Sequence, residues 1–253
     1  MDIKQYLERI QYSRPIKPDV QTLYGLQRAQ LLHVPFENLD IGLKRPIHLD
    51  EDALWDKIIL HRRGGFCYEL NGLFALLLQE IGFYVTYLNA RVYNQVGELG
   101  IDFDHLALLV RLPGEAAHWL ADVGFGDTFS EPLCLDGPEI QEQGLRAYRV
   151  ERLRDGHAIW QRNYDGSWER HYFFDLQPHR FPEEYVSACN YHETSPQSSF
   201  TRGSIISLAT PNGRVSLEDG WLILTRNGLR TERAVTSRDQ YNLLLQQYFG
   251  ITL

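Results

Sequence analysis

An α+β fold is predicted by a change of apolar period partway along the 253-residue chain. Residues 1–84 place apolar side chains at helical spacing, with capping residues in front of them. From about residue 83 the spacing shortens to that of β-strands, and turn dipeptides separate the runs. A last helical pattern begins at Ser237 and closes the chain.

The helices come first. Asp2 and Gln5 resemble a capping box ahead of the face Ile3, Tyr6, Leu7 and Ile10. Asp19 caps a second helix through Leu23, Leu26 and Leu31. A third runs from Asp50 to about Arg62. Its first turn is acidic (Asp50, Glu51, Asp52) and its last turn basic (Lys57, His61, Arg62, Arg63), which suits the helix dipole at both ends. Between the second and third lies the apolar, proline-broken stretch His33-Val34-Pro35-Phe36-Glu37-Asn38-Leu39, read as a loop that either plugs the bundle or lines a substrate site. The fourth helix starts at Cys67, carries Leu70, Leu73, Phe74, Leu77 and Ile81 on its face, and stops at Gly82.

Aromatic and β-branched residues at 83–88 open the strand region. Further strands are expected at 105–112, 118–123, 145–153, 157–162 and 167–174. Pro113-Gly114, Asp155-Gly156 and Asp165-Gly166 supply turns between them, a pattern that suits a small barrel or sandwich. Phe181-Pro182-Glu183-Glu184-Tyr185 opens a connecting segment with proline at a plausible first helical position. Strands at 200–208, 213–217 and 220–225 follow, with Pro211-Asn212-Gly213 as the turn between the first two. In the last helix Gln240 completes a capping box with Ser237, and Tyr241, Leu244, Leu245 and Tyr248 form the buried face.

Composition narrows the function. An apolar fraction of 43% with 12% aromatic residues supports a proper core. A net charge of −8 without any Lys/Arg run argues against a nucleic-acid or membrane-surface protein, although a local basic pocket could still hold an anionic ligand. The three cysteines Cys67, Cys134 and Cys189 fit neither a disulfide framework nor a metal cluster. Reduced thiols, the lack of an apolar leader after Met1 and the lack of a membrane-length apolar run lead us to expect a soluble, cytoplasmic protein.

One stretch carries chemistry, Arg63-Gly64-Gly65-Phe66-Cys67-Tyr68-Glu69-Leu70-Asn71-Gly72. Most free cysteines are small buried hydrophobes. Cys67, however, opens a helix behind two glycines that permit unusual backbone angles, and a core thiol needs neither feature. The unpaired amides of a helix N-terminus act like roughly half a positive charge, so the thiol is expected below its free value of about 8.5. Cys67 is therefore a nucleophile candidate.

A thiol nucleophile needs a base, and the base needs an orienting group. His105 stands at the head of the apolar strand 105–112. Asp122 stands inside the otherwise apolar run 119–126, where a carboxylate is costly without a hydrogen-bonding partner. A hairpin loop of 113–116 puts both on one face as diagonal neighbours, and a loop of 113–117 does not. The sequence leaves both open.

The run Arg63-Gly64-Gly65-Phe66-Cys67, the loop Pro35-Phe36-Glu37-Asn38-Leu39 and the strand Asp122-Val123-Gly124-Phe125-Gly126 resemble the arylamine N-acetyltransferases. So do Met1-Asp2-Ile3…Glu8-Arg9-Ile10 and Thr194-Ser195-Pro196-Gln197-Ser198-Ser199-Phe200. The resemblance spans nearly the whole chain in order. It implies a three-part chain: a helical bundle over 1–84 with the catalytic cysteine, an antiparallel β-barrel over 85–180 with His105 and Asp122, and a connecting segment plus α/β lid over 181–253. The catalytic parts are then placed as in a cysteine protease. It also implies that Cys67 takes an acyl group from acetyl-CoA, with His105 as base and Asp122 orienting it, and with no metal. Leu253 follows closely on the last helix, without the C-terminal extension of some members, so CoA contacts from such a tail are not expected. Asp104 beside His105 is a local feature whose charge favours the imidazolium.

The expected reaction is ping-pong transfer through an acetyl-Cys67 thioester to an arylamine, arylhydrazine or N-hydroxyarylamine. Weakly basic aryl amines keep a free lone pair at pH 7, whereas aliphatic amines of pKa near 10 are mostly protonated. The acceptor pocket should be aromatic and dry. Phe36 and Phe125 are the first choices for its lining, ahead of Phe66, Tyr68 and Phe103, and Tyr191 and Ser198 are candidates near the CoA. Two other readings stay open: a thiol hydrolase of protease or transglutaminase type using the same three residues, and a binding module with a dead site. A monomer or homodimer is expected.

Overall fold

The structure, a computed structural model, describes residues 1–253. Helices α1 (Ile3–Arg9) and α2 (Val20–His33) start behind Asp2 and Asp19, whose carboxylates accept the Gln5 and Thr22 amides at 3.2 and 2.8 Å. Phe36–Glu37 is not a loop. It forms a two-residue strand, β1, too short for any periodicity to reveal. A single helical turn, α3 (Leu39–Gly42), follows.

The helix expected over 50–62 is split into α4 (Glu51–Trp55) and a π-helical turn over Asp56–Leu60. Lys57 and Arg63, read as dipole partners, are instead drawn into ion pairs with buried carboxylates. Helix α5 (Cys67–Ile81) buries Leu70, Leu73, Phe74 and Leu77, each contributing about 1.5–3 kcal/mol of apolar burial. Gly82 ends it at φ 107°.

The strands β2 (Tyr84–Val92), β3 (His105–Arg111), β4 (His118–Ala121), β5 (Leu133–Cys134), β6 (Ile140–Gln143), β7 (Arg146–Leu153), β8 (Gly156–Arg162) and β9 (Trp168–Phe174) form one antiparallel sheet. Its order is β5-β4-β3-β2-β9-β8-β7-β6. The two edges nearly close into a barrel. The Gln141 side chain of β6 accepts the Cys134 N–H of β5 and donates to its carbonyl, both at 2.9 Å. β5 escapes the sequence reading because it is only two residues long, and β6 because it is short and mostly polar.

Proline does not start a helix at 182; α6 spans Val186–Thr194. The strand expected from 200 is delayed by the turn α7 (Ser199–Arg202), whose Ser198 cap favours helix locally. β10 (Ile205–Thr210), β11 (Gly213–Glu218), β12 (Trp221–Arg226) and the wholly exposed β13 (Leu229–Ala234) complete a second sheet. Its order is β1-β10-β11-β12-β13, so the N-terminal region lends a strand to the C-terminal sheet. Helix α8 (Arg238–Phe249) packs Leu244, Leu245 and Phe249 on it behind the Ser237 cap, while Tyr241 and Tyr248 are only partly buried. Gln240 Oε1 accepts the Thr236 N–H and not that of Ser237, so the capping box is shifted by one residue.

Candidate active site

Cys67 lies in the first turn of α5, as its sequence context requires. The glycines ahead of it serve a different purpose from the one expected. Neither has a positive φ. A Cβ on Gly64 would meet the Pro35 carbonyl oxygen at 2.0 Å, and one on Gly65 would meet Glu69 at 2.8 Å. Close approach of the Pro35 backbone to Gly64 and of the Glu69 side chain to Gly65, not left-handed geometry, excludes side chains here. Buried Arg9 donates to the carbonyls of Ile58 (2.9 Å), Arg62 and Arg63 (both 3.1 Å) and to that of His33, which ties α1 to this loop. Glu69 Oε2 accepts the Phe66 N–H at 3.1 Å and fixes the helix start.

The hairpin β3–β4 settles the geometry of the pair that follows. Leu108 faces Ala121 and Arg111 faces His118, which is the register of a 113–116 loop. His105 and Asp122 therefore share a face. His105 Nε2 donates to Asp122 Oδ2 at 2.7 Å, and the Tyr172 hydroxyl reaches the same oxygen at 3.1 Å. The other oxygen accepts Asn71 Nδ2 at 2.8 Å and the Gly124 N–H at 2.9 Å. Burial alone pushes Asp122 up, but His105, Asn71 and Gly124 together hold it below the usual carboxylate range.

Cys67 and His105 stand on the wall of one cavity, and the Leu106 amide, next to His105, favours the thiolate. A Cβ on Gly124 would lie 2.7 Å from Cys67 Cα, so the strand end carrying Asp122 presses directly on the start of α5. The thiol itself behaves differently from expectation. Burial pushes it well up, the Leu106 N–H opposes this, and the Asp104 and Asp122 carboxylates add to the rise. Desolvation outweighs the helix field, so removal of the proton needs a partner base.

Cys67, His105, Phe36 and Phe125 line one cavity of about 570 Å³. Phe125 stacks on His171 at 4.9 Å and meets His105 edge-on at 5.2 Å. Phe66, Tyr68 and Phe103 do not line it. Phe66 and Tyr68 are fully buried, and the Tyr68 hydroxyl donates to the Phe103 carbonyl at 2.6 Å. Tyr191 and Ser198 are also off the cavity wall, where Ser199, Phe200 and Arg202 are found instead. Ser198 Oγ is used inside the fold, accepting the Phe200 N–H at 3.2 Å.

Sequence reasoning missed Asn71, Tyr172, Gln27 and His192. Asn71 did carry a signal: it lies four residues after Cys67, on the same helical face, as a polar side chain among apolar ones. Gln27 accepts the Asp122 N–H at 3.1 Å and donates to the Phe129 carbonyl at 3.3 Å, a contact across 95 residues that no local pattern announces.

Burial pushes His171 down to about 4 from its ordinary 6.5, so between those values the folded protein binds fewer protons at this site than the unfolded chain. Stability from this group is full above that window and is lost as pH falls through it. We expect His171→Phe to flatten the acid limb of a Tm-against-pH curve between about pH 6.5 and 4. An unchanged acid limb would refute the assignment.

Fold and site together describe an acyltransferase, and residues 19–253 match the family model described as N-acetyltransferase. The chain belongs to the arylamine N-acetyltransferase family. It is 33% identical to the arylamine N-acetyltransferase of Mycolicibacterium smegmatis, covering 100% of this chain and 93% of that protein. It is 35% identical to an arylamine N-acetyltransferase / N-hydroxyarylamine O-acetyltransferase of Salmonella typhimurium, over 92% of this chain and 83% of the relative. The structure of the Mycobacterium marinum arylamine N-acetyltransferase in complex with CoA is similar at a TM-score of 0.91 and 30% identity, covering 99% of this chain and 93% of that one. No helix is long and apolar enough to cross a membrane, and no group of three or more His, Cys, Asp or Glu side chains is placed to hold a metal.

Proposed function

We propose that this chain transfers an acetyl group from acetyl-CoA to an arylamine, arylhydrazine or N-hydroxyarylamine by a ping-pong mechanism through an acetyl-Cys67 thioester. The observation that carries the reading is the shared cavity of Cys67, His105 and the two phenylalanines Phe36 and Phe125. Because burial holds the thiol proton on, His105 takes it as Cys67 attacks the thioester carbonyl, and Asp122 stabilises the imidazolium that forms. The oxyanion is met by first-turn amides of α5, which lack helical acceptors, that of Cys67 among them. CoA departs with the proton from His105. The aryl amine then attacks the thioester, His105 takes its proton, and the thiol is restored. Phe36 and Phe125 hold the aryl ring and exclude water.

On this reading residues 1–84 form a bundle, 85–180 a barrel and 181–253 a lid, arranged as in a cysteine protease, with β1 bridging the first and last. Three free cysteines suit a reducing cytoplasm, where we place the protein as a monomer or homodimer. Incubation with acetyl-CoA and intact-mass measurement tests the mechanism. An acetyl-sized gain, absent in Cys67→Ala and discharged by an aniline, is expected. Peptide cleavage without CoA would favour a thiol hydrolase instead, and neither result would leave a binding module.

A further inference from the structure

Phe36 and Phe125, the two rings given to the aryl acceptor, stand on different sheets. Phe125 follows β4 and packs on His105, His171 and Tyr172 of the eight-stranded sheet, at centroid distances of 5.2, 4.9 and 5.1 Å. Phe36 belongs to β1 at the edge of the second sheet, opposite Ser207 of β10. Opposed residues of neighbouring strands point to the same face. Phe36, Ser207, Ser216 and, two residues before it, Arg214 therefore share one face of that sheet. The other face packs Ile206, Val215 and Leu217 with Leu244, Leu245 and Phe249 of α8.

The two sheets are tied at Asp127, two residues beyond Phe125. Arg146 of β7 grips its carboxylate as a fork, Nη1 to Oδ1 at 2.7 Å and Nη2 to Oδ2 at 2.8 Å. That fork already balances the charge. Arg214 nonetheless reaches across from β11, its Nε donating to Asp127 Oδ1 at 3.0 Å and its Nη1 to Ser207 Oγ at 2.9 Å. A second cation here is surplus as charge compensation, so its contribution is the link it makes. No other hydrogen bond joins β10–β13 to β2–β9 or to the loops between those strands. Beside the link, Gly126 at φ 90° lies against the Phe36 ring, where a Cβ would come within 3.9 Å. His192, elsewhere on the cavity wall, lies 3.2 Å from both Ser198 Oγ and Asp104 Oδ1 and has no part in the link.

We propose that Arg214 and Asp127 are a positioning pair that sets the gap between Phe36 and Phe125, and with it the affinity for aryl acceptors, without touching substrate. The inference rests on the acyl-transfer reading and deepens it. One guanidinium holds the strand beside Phe36 through Ser207 and the segment carrying Phe125 through Asp127. Its loss lets the two rings part. The His105–Asp122 pair is insulated from this, since none of the hydrogen bonds to Asp122 comes from the second sheet. No bond is made or broken by the positioning pair.

The test follows discharge of acetyl-Cys67 by aniline and by hydrazine, which has no ring, in wild type, Arg214→Met and Arg214→Lys. Arg214→Met should raise the half-saturating aniline concentration by about tenfold. The saturated rate, the rate with hydrazine and acylation by acetyl-CoA should stay within about twofold. Arg214→Lys keeps the cation without the fork and should fall between. Added to Asp127→Ala, Arg214→Met should cost less than about twofold more, because the link is already broken. An aniline constant within about twofold of wild type in Arg214→Met, or an equal loss with hydrazine, overturns the proposal. Should Arg214→Met fail to fold, Ser207→Ala replaces it, since it frees only the strand beside Phe36. A rise of about threefold is then expected, and no rise overturns the pair. Should wild type fail to acylate at all, the functional reading falls, and the pair is judged by 4-fluoroaniline binding to the free enzyme, read from its fluorine resonance. Equal dissociation constants in wild type and Arg214→Met, or no binding to wild type, overturn the pair as well.

Discussion

Asp122→Asn should lower kcat by about 10³–10⁴-fold, as loss of the orienting carboxylate does in other nucleophile–histidine–carboxylate systems. The substitution is nearly isosteric, so the effect is electrostatic and tautomeric. Asp122 accepts four hydrogen bonds, two on each oxygen: His105 and Tyr172 on Oδ2, Asn71 and Gly124 on Oδ1. An asparagine must turn its NH₂ toward one of these pairs and thereby set donors against donors. If the NH₂ faces His105, the imidazole must present an unprotonated Nε2, which leaves the proton on Nδ1, the nitrogen that in the proposed mechanism accepts one from the thiol. If it faces Asn71 and Gly124, the negative charge that stabilises the imidazolium is still gone. Single-turnover acylation of Cys67 by acetyl-CoA measures the step directly. Asn71→Ala should cost less, since it removes one of four bonds and leaves the charge in place. A kcat within tenfold of wild type for Asp122→Asn would show that His105 does not depend on this carboxylate.

Much of this geometry was legible in the sequence because it sits at element boundaries. Gly82, Asp19 and Ser237 mark helix ends through local backbone chemistry, and the structure uses all three. The pairing of His105 with Asp122 was narrowed to two loop lengths, since strand alternation is a local rule while loop length is set by the packing of Leu112 into the core beneath it. Contacts between remote segments left no such trace. Phe36–Glu37 becomes a strand only because β10 lies beside it, with Phe36 opposite Ser207. The thiol was misread for a similar reason: the helix field is local and visible in sequence, whereas the burial that outweighs it comes from segments folded over Cys67. His192 lies in a helix with no strong apolar face, and only its partners Asp104 and Ser198, each brought in by tertiary structure, single it out.

Arg63→Gln is expected to destabilise the protein by about 3–5 kcal/mol, the cost of leaving a buried charge without its partner. Arg63 Nε donates to Glu37 Oε1 at 2.9 Å, and its Nη2 lies 2.8 Å from that oxygen and 3.1 Å from Asp40 Oδ1. Lys57 Nζ joins Asp40 and Glu69 at 2.7 and 2.6 Å. Three carboxylates thus share two buried cations behind the start of α5, with the exposed Arg45 3.9 Å from Asp40, the Glu37 side chain wholly buried and that of Glu69 2% exposed. The balance is already tight. Burial pushes Glu69 up to about 7, with Lys57 opposing and the neighbouring Glu37 charge adding to the rise. Without Arg63, the Leu39 N–H at 2.8 Å is the one hydrogen bond left to the Glu37 carboxylate, and β1 is held to the loop before Cys67 by backbone alone, chiefly the Glu37 N–H on the Gly65 carbonyl at 2.8 Å. Arg63→Lys should recover only part of the loss, because an ammonium cannot reproduce the planar fork that spans Glu37 and Asp40. The double variant Arg63→Gln, Glu37→Gln should be more stable than Arg63→Gln alone, since it removes the orphaned charge together with its partner. Urea unfolding near pH 7.5 measures all three. A loss below about 1 kcal/mol for Arg63→Gln would mean that water reaches Glu37 and that the cluster behaves as an ordinary surface ion pair.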